Sequence, residues 1–158
     1  MEEECYEIPR IPASAGALVF DTAGRLLILK PTYKSGWTIP GGQVEADGET
    51  PWEACRREAR EESGLDIESG RLACVDFLRP REDRPGGVRF LFDCGVLGKE
   101  RLKSLTVQVD EIAEYRFEPV PEALKLLSGP LRRRVGAVVG THKFRYLEDG
   151  RPATGVRN

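Results

Sequence analysis

Residues 42–65 read Gly42-Gln43-Val44-Glu45-Ala46-Asp47-Gly48-Glu49-Thr50-Pro51-Trp52-Glu53-Ala54-Cys55-Arg56-Arg57-Glu58-Ala59-Arg60-Glu61-Glu62-Ser63-Gly64-Leu65. The second half of this stretch carries the signals of a helix from Thr50 to Ser63. Thr50 suits the N-cap, and Pro51 suits the first helical position, where a missing N–H costs nothing. Glu53 stands three residues after Thr50, the spacing of a capping box. Gly64 suits the left-handed residue just past a helix. At about 100° per residue the helix divides into faces. Trp52, Cys55 and Ala59 make an apolar stripe for the core, while Glu58, Glu61 and Glu62 fall together on an adjacent face. Arg56 and Arg60 point away from both, and Ala54 is expected to leave room above the acidic cluster.

Three carboxylates on one face repel one another, and the helix dipole near a C-terminus adds to the repulsion. A divalent cation removes the conflict. Magnesium prefers hard oxygen ligands and commonly bridges carboxylates to substrate phosphates. Arg57, one turn from Glu53 and Glu61, is placed to orient the cluster through ion pairs. A solvated charged face is the plain alternative for the helix alone, so the preceding loop matters. Gly41-Gly42 permits a sharp turn or a close backbone approach, and the run from Gly42 can fold Glu49 toward the acidic face.

Outward from this centre, Ala15–Phe20 and Leu26–Leu29 are short apolar runs on either side of Asp21-Thr22-Ala23-Gly24-Arg25, a pattern of two strands and a tight turn. A short strand is expected at Trp37-Thr38-Ile39, stopping at Pro40-Gly41-Gly42. Strands are expected at 72–78 and 88–96, with Arg84-Pro85-Gly86-Gly87 turning between them, and another at 111–117. Helices are expected at 121–127 and 131–139. Strands before, between and after helices favour an α/β fold with a mixed sheet. Residues 141–158, rich in Gly, Pro and charge, read as a partly ordered tail on a core of about 13–140, all within one domain.

The chain has 158 residues, enough for one domain with a real core. Its net charge of −2 excludes the basic footprint of a dedicated nucleic-acid binder. No apolar stretch is long enough to suggest a membrane-spanning helix. Met1-Glu2-Glu3-Glu4-Cys5 lacks the pattern of a secretory leader, so the expected location is the cytoplasm. Cys5, Cys55, Cys74 and Cys94 are scattered, and His142 cannot complete a familiar zinc set with them. They are expected to be free thiols, buried rather than bridged.

Gly42, Glu49, Arg57, Glu58, Ala59, Glu61, Glu62, Gly64 and Leu65 together resemble the Nudix box, in its usual setting after a strand and Trp-x-x-Pro-Gly-Gly and before another strand. One departure is visible: six residues separate Gly42 from Glu49 where the family pattern has five, and Ala46-Asp47-Gly48 carries the extra one. The resemblance implies a Nudix-like α/β/α sandwich and a hydrolase that attacks the diphosphate of a nucleoside diphosphate derivative with water. It implies Mg²⁺, or Mn²⁺ in its place, held by Glu58, Glu61 and Glu62, with the backbone of Gly42 near the site and Arg57 in support. Glu111, in an Asp-Glu-apolar segment, is the leading candidate for activating water, with Glu58 as its rival.

Arg79, Arg81, Arg84 and Arg89 are candidates for phosphate contacts, and Glu49 is grouped with Arg79 and Arg81 as substrate-binding. Arg132-Arg133-Arg134 reads as a helix face. Tyr33, Trp37 and Phe77 can each stack on a base or fill the core. Pro80, placed as in ADP-ribose-cleaving members, tilts the substrate toward ADP-ribose or a nucleotide sugar. The expected partner is therefore a small nucleotide-like molecule, not nucleic acid or membrane, with a homodimer open. Two other readings stay open. A Nudix-like ligand-sensing or interaction module that has lost catalysis typically lacks the box glutamates, whereas this chain keeps three on the helix. An isopentenyl diphosphate isomerase would need a placed cysteine, for which Cys74 and Cys94 are the candidates.

Overall fold

The computed structural model describes residues 7–157. The strands are β1 (Ala13–Phe20), β2 (Leu26–Pro31), β3 (Gly41–Gln43), β4 (Arg71–Leu78), β5 (Gly87–Val96), β6 (Ile112–Glu118), β7 (Arg145–Glu148) and β8 (Arg151–Pro152). The helices are α1 (Pro51–Ser63), α2 (Lys99–Leu102), α3 (Val120–Leu126) and α4 (Gly129–Val138). The strands form one mixed sheet in the order β6-β2-β1-β5-β4-β7-β8, with β3 paired to β1. The β1–β5 and β4–β7 pairings are parallel, and the other pairings are antiparallel.

Alternation along the central strands sends side chains to two cores. Ala15, Ala17, Val19, Leu27 and Leu29 face α1 and pack with Ala54, Cys55, Ala59, Leu65 and Ile67. Leu18, Leu26 and Ile28 face the other way, against Ala123 and Leu127 near α3 and Val135 and Val138 of α4. The sheet is thus covered on both faces, an α/β/α sandwich. The helix α1 is built as its sequence predicts. Thr50 Oγ1 accepts from Glu53 N at 3.1 Å, the Glu53 carboxylate accepts from Thr50 N at 2.8 Å, and Gly64 closes the helix at φ 68°. Trp52 packs its ring on Phe92 with centroids 5.0 Å apart.

Several expectations are corrected. Trp37-Thr38-Ile39 forms no strand beyond a single bridge from Thr38 to Leu29, and the strand falls instead on Gly41–Gln43. Ala54 is fully buried in the core under α1, so it leaves no room above the carboxylates. The expected tail contains β7 and β8, which extend the sheet past β4 and bury Leu147 completely. Their alternation is too short to be read from sequence, and they form only because β4 offers an unpaired edge. The strand expected to open at Glu111 begins at Ile112. A register shift between Lys30 and Pro31 explains the imperfect alternation there, since it lets Ile112 and Phe117 pack on the same core despite opposite parity. Cys55, Cys74 and Cys94 are buried and free, while Cys5 lies outside the described residues. No helix of the described residues is long and apolar enough to cross a membrane.

Candidate active site

The site forms where the C-terminal half of α1 lies against β3. Gly41 N donates to Glu62 Oε1 at 3.0 Å, which ties the helix to the strand through a carboxylate that is only 5% exposed. Glu58 lies against Gly42 so closely that any Cβ there would collide with both of its carboxylate oxygens. Glycine at 42 therefore lets the Glu58 carboxylate rest against the strand, and a side chain there would have to push it aside. Gly41 is hemmed in as well, since a Cβ would stand 2.5 Å from Ala15 O.

Arg57 organises the outer part of the cluster. Its Nε and Nη2 donate to the two oxygens of Glu49 at 2.7 and 3.0 Å, a fork-to-fork pair. Its Nη1 donates to Glu58 at 2.9 Å and Glu61 at 3.1 Å, and Nη2 also reaches Gln43 O at 2.9 Å. These bonds, led by the one to Glu49, hold the guanidinium charge more firmly than usual. Glu53, the other expected partner, is taken by the helix cap. Glu49 in turn accepts from Glu45 N, and the longer loop closes on itself through an Asp47–Glu49 N contact, with Gly48 at φ 94°. Both oxygens of Glu49 accept from Arg57, so it anchors that arginine.

Glu111 is brought to the same place by backbone contacts from two directions. Gln108 N donates to Glu62 O at 3.3 Å, and the following turn closes with Glu111 N on Gln108 O at 3.0 Å. From the sheet, Thr32 N donates to Glu111 O at 2.8 Å, while Thr32 Oγ1 donates to Asp110 O at 2.7 Å. The electrostatics reflect this convergence. Burial pushes the Glu62 carboxyl up to about 8, the charges of Glu58 and Glu111 add to the rise, and the Gly41 N–H works against it. Tyr33, named above for base stacking, is 72% exposed beside the same group. Partial burial and the charges of Glu62, Glu111 and Glu58 raise its hydroxyl above the usual range.

The donor set suits a hard divalent cation. Glu62 is a buried carboxylate whose charged neighbours, Glu58 and Glu111, are both negative, and Gly42 leaves the Glu58 carboxylate no barrier toward the strand. Glu61 is 53% exposed at the outer edge. Arg57 draws Glu58 and Glu61 together, while Glu62 accepts from Gly41 N and lies within hydrogen-bonding reach of the Glu58 carboxylate. No group of three metal-ligating side chains is preassembled among the described residues.

A cavity of about 330 Å³ adjoins the other side of Gly41-Gly42, between the sheet and the start of α4. Arg84 and Arg89 line it, but Arg79 and Arg81 do not. Those two lie instead at 3.8 and 3.9 Å from Asp149, on the outer side of the hairpin that Arg81 and Arg84 bridge. A larger depression of about 480 Å³ outside α1 has Arg56, Arg57 and Arg60 in its walls but none of Glu58, Glu61 or Glu62. Of the arginine run 132–134, Arg134 is buried on Asp76, and Arg132 and Arg133 are spent on the Leu127 and Asp149 carbonyls. Trp37 lies under the Arg116 guanidinium at 4.6 Å. Burial pushes the Cys74 thiol up to about 12, and the neighbouring Cys55 thiol together with burial raises that of Cys94. Neither is a poised nucleophile.

A family model for the NUDIX domain matches residues 10–137. The chain belongs to the Nudix family. It is 32% identical over 122 residues to a MutT-like protein of Streptomyces ambofaciens, covering 73% of this chain and 76% of that one. Among solved structures, the MutT protein from Methanosarcina mazei Go1 matches at 25% identity and a TM-score of 0.62, over 77% of this chain and 85% of that one. The NUDIX domain of Shewanella oneidensis NrtR, solved with ADP ribose, shares the fold at 14% identity and a TM-score of 0.62, over 80% of this chain and 89% of that one. The Nudix assignment makes the chain a pyrophosphohydrolase.

Proposed function

We propose that this Nudix hydrolase cleaves the diphosphate linkage of a nucleoside diphosphate derivative, with Mg²⁺ bound at Glu58, Glu61 and Glu62. The observation that carries the reading is Glu62, a nearly buried carboxylate whose charged neighbours are carboxylates. An uncompensated buried charge is costly unless something external pairs with it. When bound, Mg²⁺ neutralises charge on the diphosphate and makes water a better nucleophile near neutral pH.

Each residue then has a task. Glu62, held by Gly41 N, and Glu58, lying against Gly42, would hold the ion together with Glu61. Arg57 stays anchored on Glu49 and keeps the repelling carboxylates in register before loading. Glu111 accepts the proton of the attacking water; in support, its charge acts on Glu62 from outside the helix, and its backbone is tied to Gln108 and Thr32. Its rival Glu58 is already bound to Arg57 and pressed on Gly42.

The finer substrate reading is ADP-ribose or a nucleotide sugar. Pro80, at the end of β4, supports it, as does the fold-related NrtR domain solved with ADP ribose. The test is a screen of ADP-ribose, nucleotide sugars and nucleoside triphosphates with Mg²⁺, with Mn²⁺ and with EDTA, reading release of nucleoside monophosphate or phosphate. Hydrolysis that needs the metal and favours ADP-ribose or a nucleotide sugar supports the proposal. Turnover unaffected by EDTA overturns the metal assignment, and preference for triphosphates overturns the substrate reading.

A further inference from the structure

The cavity beside Gly41-Gly42 has an unusual charge inventory. Lys34, Arg84, Arg89 and Arg134 all line it, and among the described residues no Asp or Glu does. Arg134 is neutralised behind the wall by Asp76 at 2.8 Å, and Arg84 is held by Asp149 through one Nη at 2.9 Å. Arg89 has no ion pair of its own among the described residues. Two nitrogens, Arg84 Nε and Arg89 Nη1, are shielded from solvent and have no acceptor among the described residues. A buried N–H without an acceptor costs roughly 1–3 kcal/mol, more when charged, and native structures rarely leave one unanswered.

The local backbone is shaped to put these groups there. Gly87, at φ 137°, has its missing Cβ position 2.8 Å from Arg89 Nη1 and nearer still to Pro12 O, so any side chain would displace the guanidinium. Arg84 is fixed by Asp149, itself at φ 51° in the turn between β7 and β8. Across the cavity stands the start of α4, where Ser128 at the N-cap makes no side-chain capping bond and lines the wall. Guanidinium groups and a free helix start favour the same kind of guest, an oxyanion.

We infer that this cavity receives a second anionic group of the substrate, a phosphate or carboxylate separate from the diphosphate that is cleaved, bound by Arg84 and Arg89. The inference rests on the hydrolase reading, because Gly41 and Gly42 are walls of both places: they line the cavity and touch Glu62 and Glu58. A substrate whose diphosphate lies at the carboxylate cluster can therefore extend its remaining part past β3 into the cavity. The class selected is a nucleoside diphosphate derivative carrying an extra negative charge, in preference to its neutral counterpart.

Two matched pairs separate the possible sources of the charge. UDP-glucuronate differs from UDP-glucose by a carboxylate, and NADP differs from NAD by a phosphate. Binding of each is measured by calorimetry to the full chain, with calcium and again with EDTA, so that the reading does not depend on turnover. The charged member of at least one pair is expected to bind about tenfold tighter, the scale of a charge-assisted hydrogen bond. That preference should disappear in Arg89→Met. Arg84→Met, at a partly exposed position, serves the same purpose if Arg89→Met does not fold by circular dichroism. Preference in the first pair assigns a carboxylate, and preference in the second a phosphate. Equal binding within both pairs, or a preference that survives the folded variant, overturns the inference. Failure of the hydrolysis screen alongside a preference abolished by the variant would overturn the proposed reaction and leave the anion site standing.

Discussion

Two buried carboxylates lie on opposite sides of the sheet and are treated in opposite ways. Asp76, fully buried under α4, has an answer for each oxygen: Arg134 Nε donates to Oδ2 at 2.8 Å and Gly150 N to Oδ1 at 2.9 Å. Glu62, nearly as buried on α1 against β3, has Gly41 N on one oxygen and the charges of Glu58 and Glu111 around it. The first arrangement is closed within the chain, so its effect is on folding. The second is left open: burial beside negative charges favours the protonated carboxyl, and its ionised form calls for a cation from outside. Comparable burial therefore goes with opposite electrostatics, set by the sign of each carboxylate's neighbours.

The largest expected effect is on the open side. Glu62→Gln should lower Mg²⁺-dependent turnover on the order of 10³-fold, matching the several kcal/mol of charge stabilisation a catalytic metal supplies. A variant that turns over its best substrate at the wild-type rate would remove Glu62 from the metal site. On the closed side, Asp76→Ala leaves Arg134 buried without its partner and should destabilise the fold by about 3–5 kcal/mol in urea titration. A loss below about 1 kcal/mol, the scale of an exposed pair, would mean the two carboxylates do not differ in kind.

Glu111→Gln comes next, with kcat expected to fall roughly 10²-fold while the unfolding midpoint stays in place, the signature of lost acid–base chemistry. An unchanged kcat would return the proton-accepting role to Glu58. In EDTA at a pH above about 8, where Glu62 is ionised, Glu62→Gln should stabilise the protein by on the order of 1 kcal/mol, because it removes a buried charge without a cation. The gain should vanish as the pH falls below that value. Lower stability of the metal-free variant would show that Glu62 is compensated within the chain after all.

The smallest effect concerns a third carboxylate whose partners are all local. Asp21 accepts from Ala23 N, Arg25 N and Arg25 Nε within the β1–β2 turn. Burial opposes its ionisation, but the Arg25 and Ala23 hydrogen bonds prevail and hold the carboxyl below its ordinary value. Its contribution is therefore present above the unfolded Asp value of about 3.9 and fades as pH falls through the lower folded value. Asp21→Asn should cost about 1 kcal/mol at pH 6, and the gap to wild type should narrow in urea titrations carried into the acid range. A gap that widens in acid would reverse the assignment.

Much of the site was legible because it is local. The cap residues, the apolar stripe of α1 and the shared face of Glu58, Glu61 and Glu62 all follow from a 3.6-residue period, which sequence spacing determines directly. The insertion before Glu49 was legible as well, although its consequence was not. Only the folded loop shows both Glu49 oxygens on Arg57. The burial of Ala54 is not visible in the spacing, because it depends on the packing of α1 against β1. The residues near 145–152 were misread because four- and two-residue strands have too little alternation to announce themselves, and they depend on the edge of β4.

The sequence by itself determined that α1 would carry three carboxylates and one organising arginine, since helical neighbours are set by covalent spacing. Tertiary structure alone decided which of these would be buried, that Glu111 would face them from 49 residues beyond Glu62, and that Arg84 and Arg89 rather than Arg79 and Arg81 would line the cavity. Those outcomes depend on strand register and on which backbone groups a neighbouring strand presents. A one-residue change of register reverses the side a residue faces, and no local spacing records it.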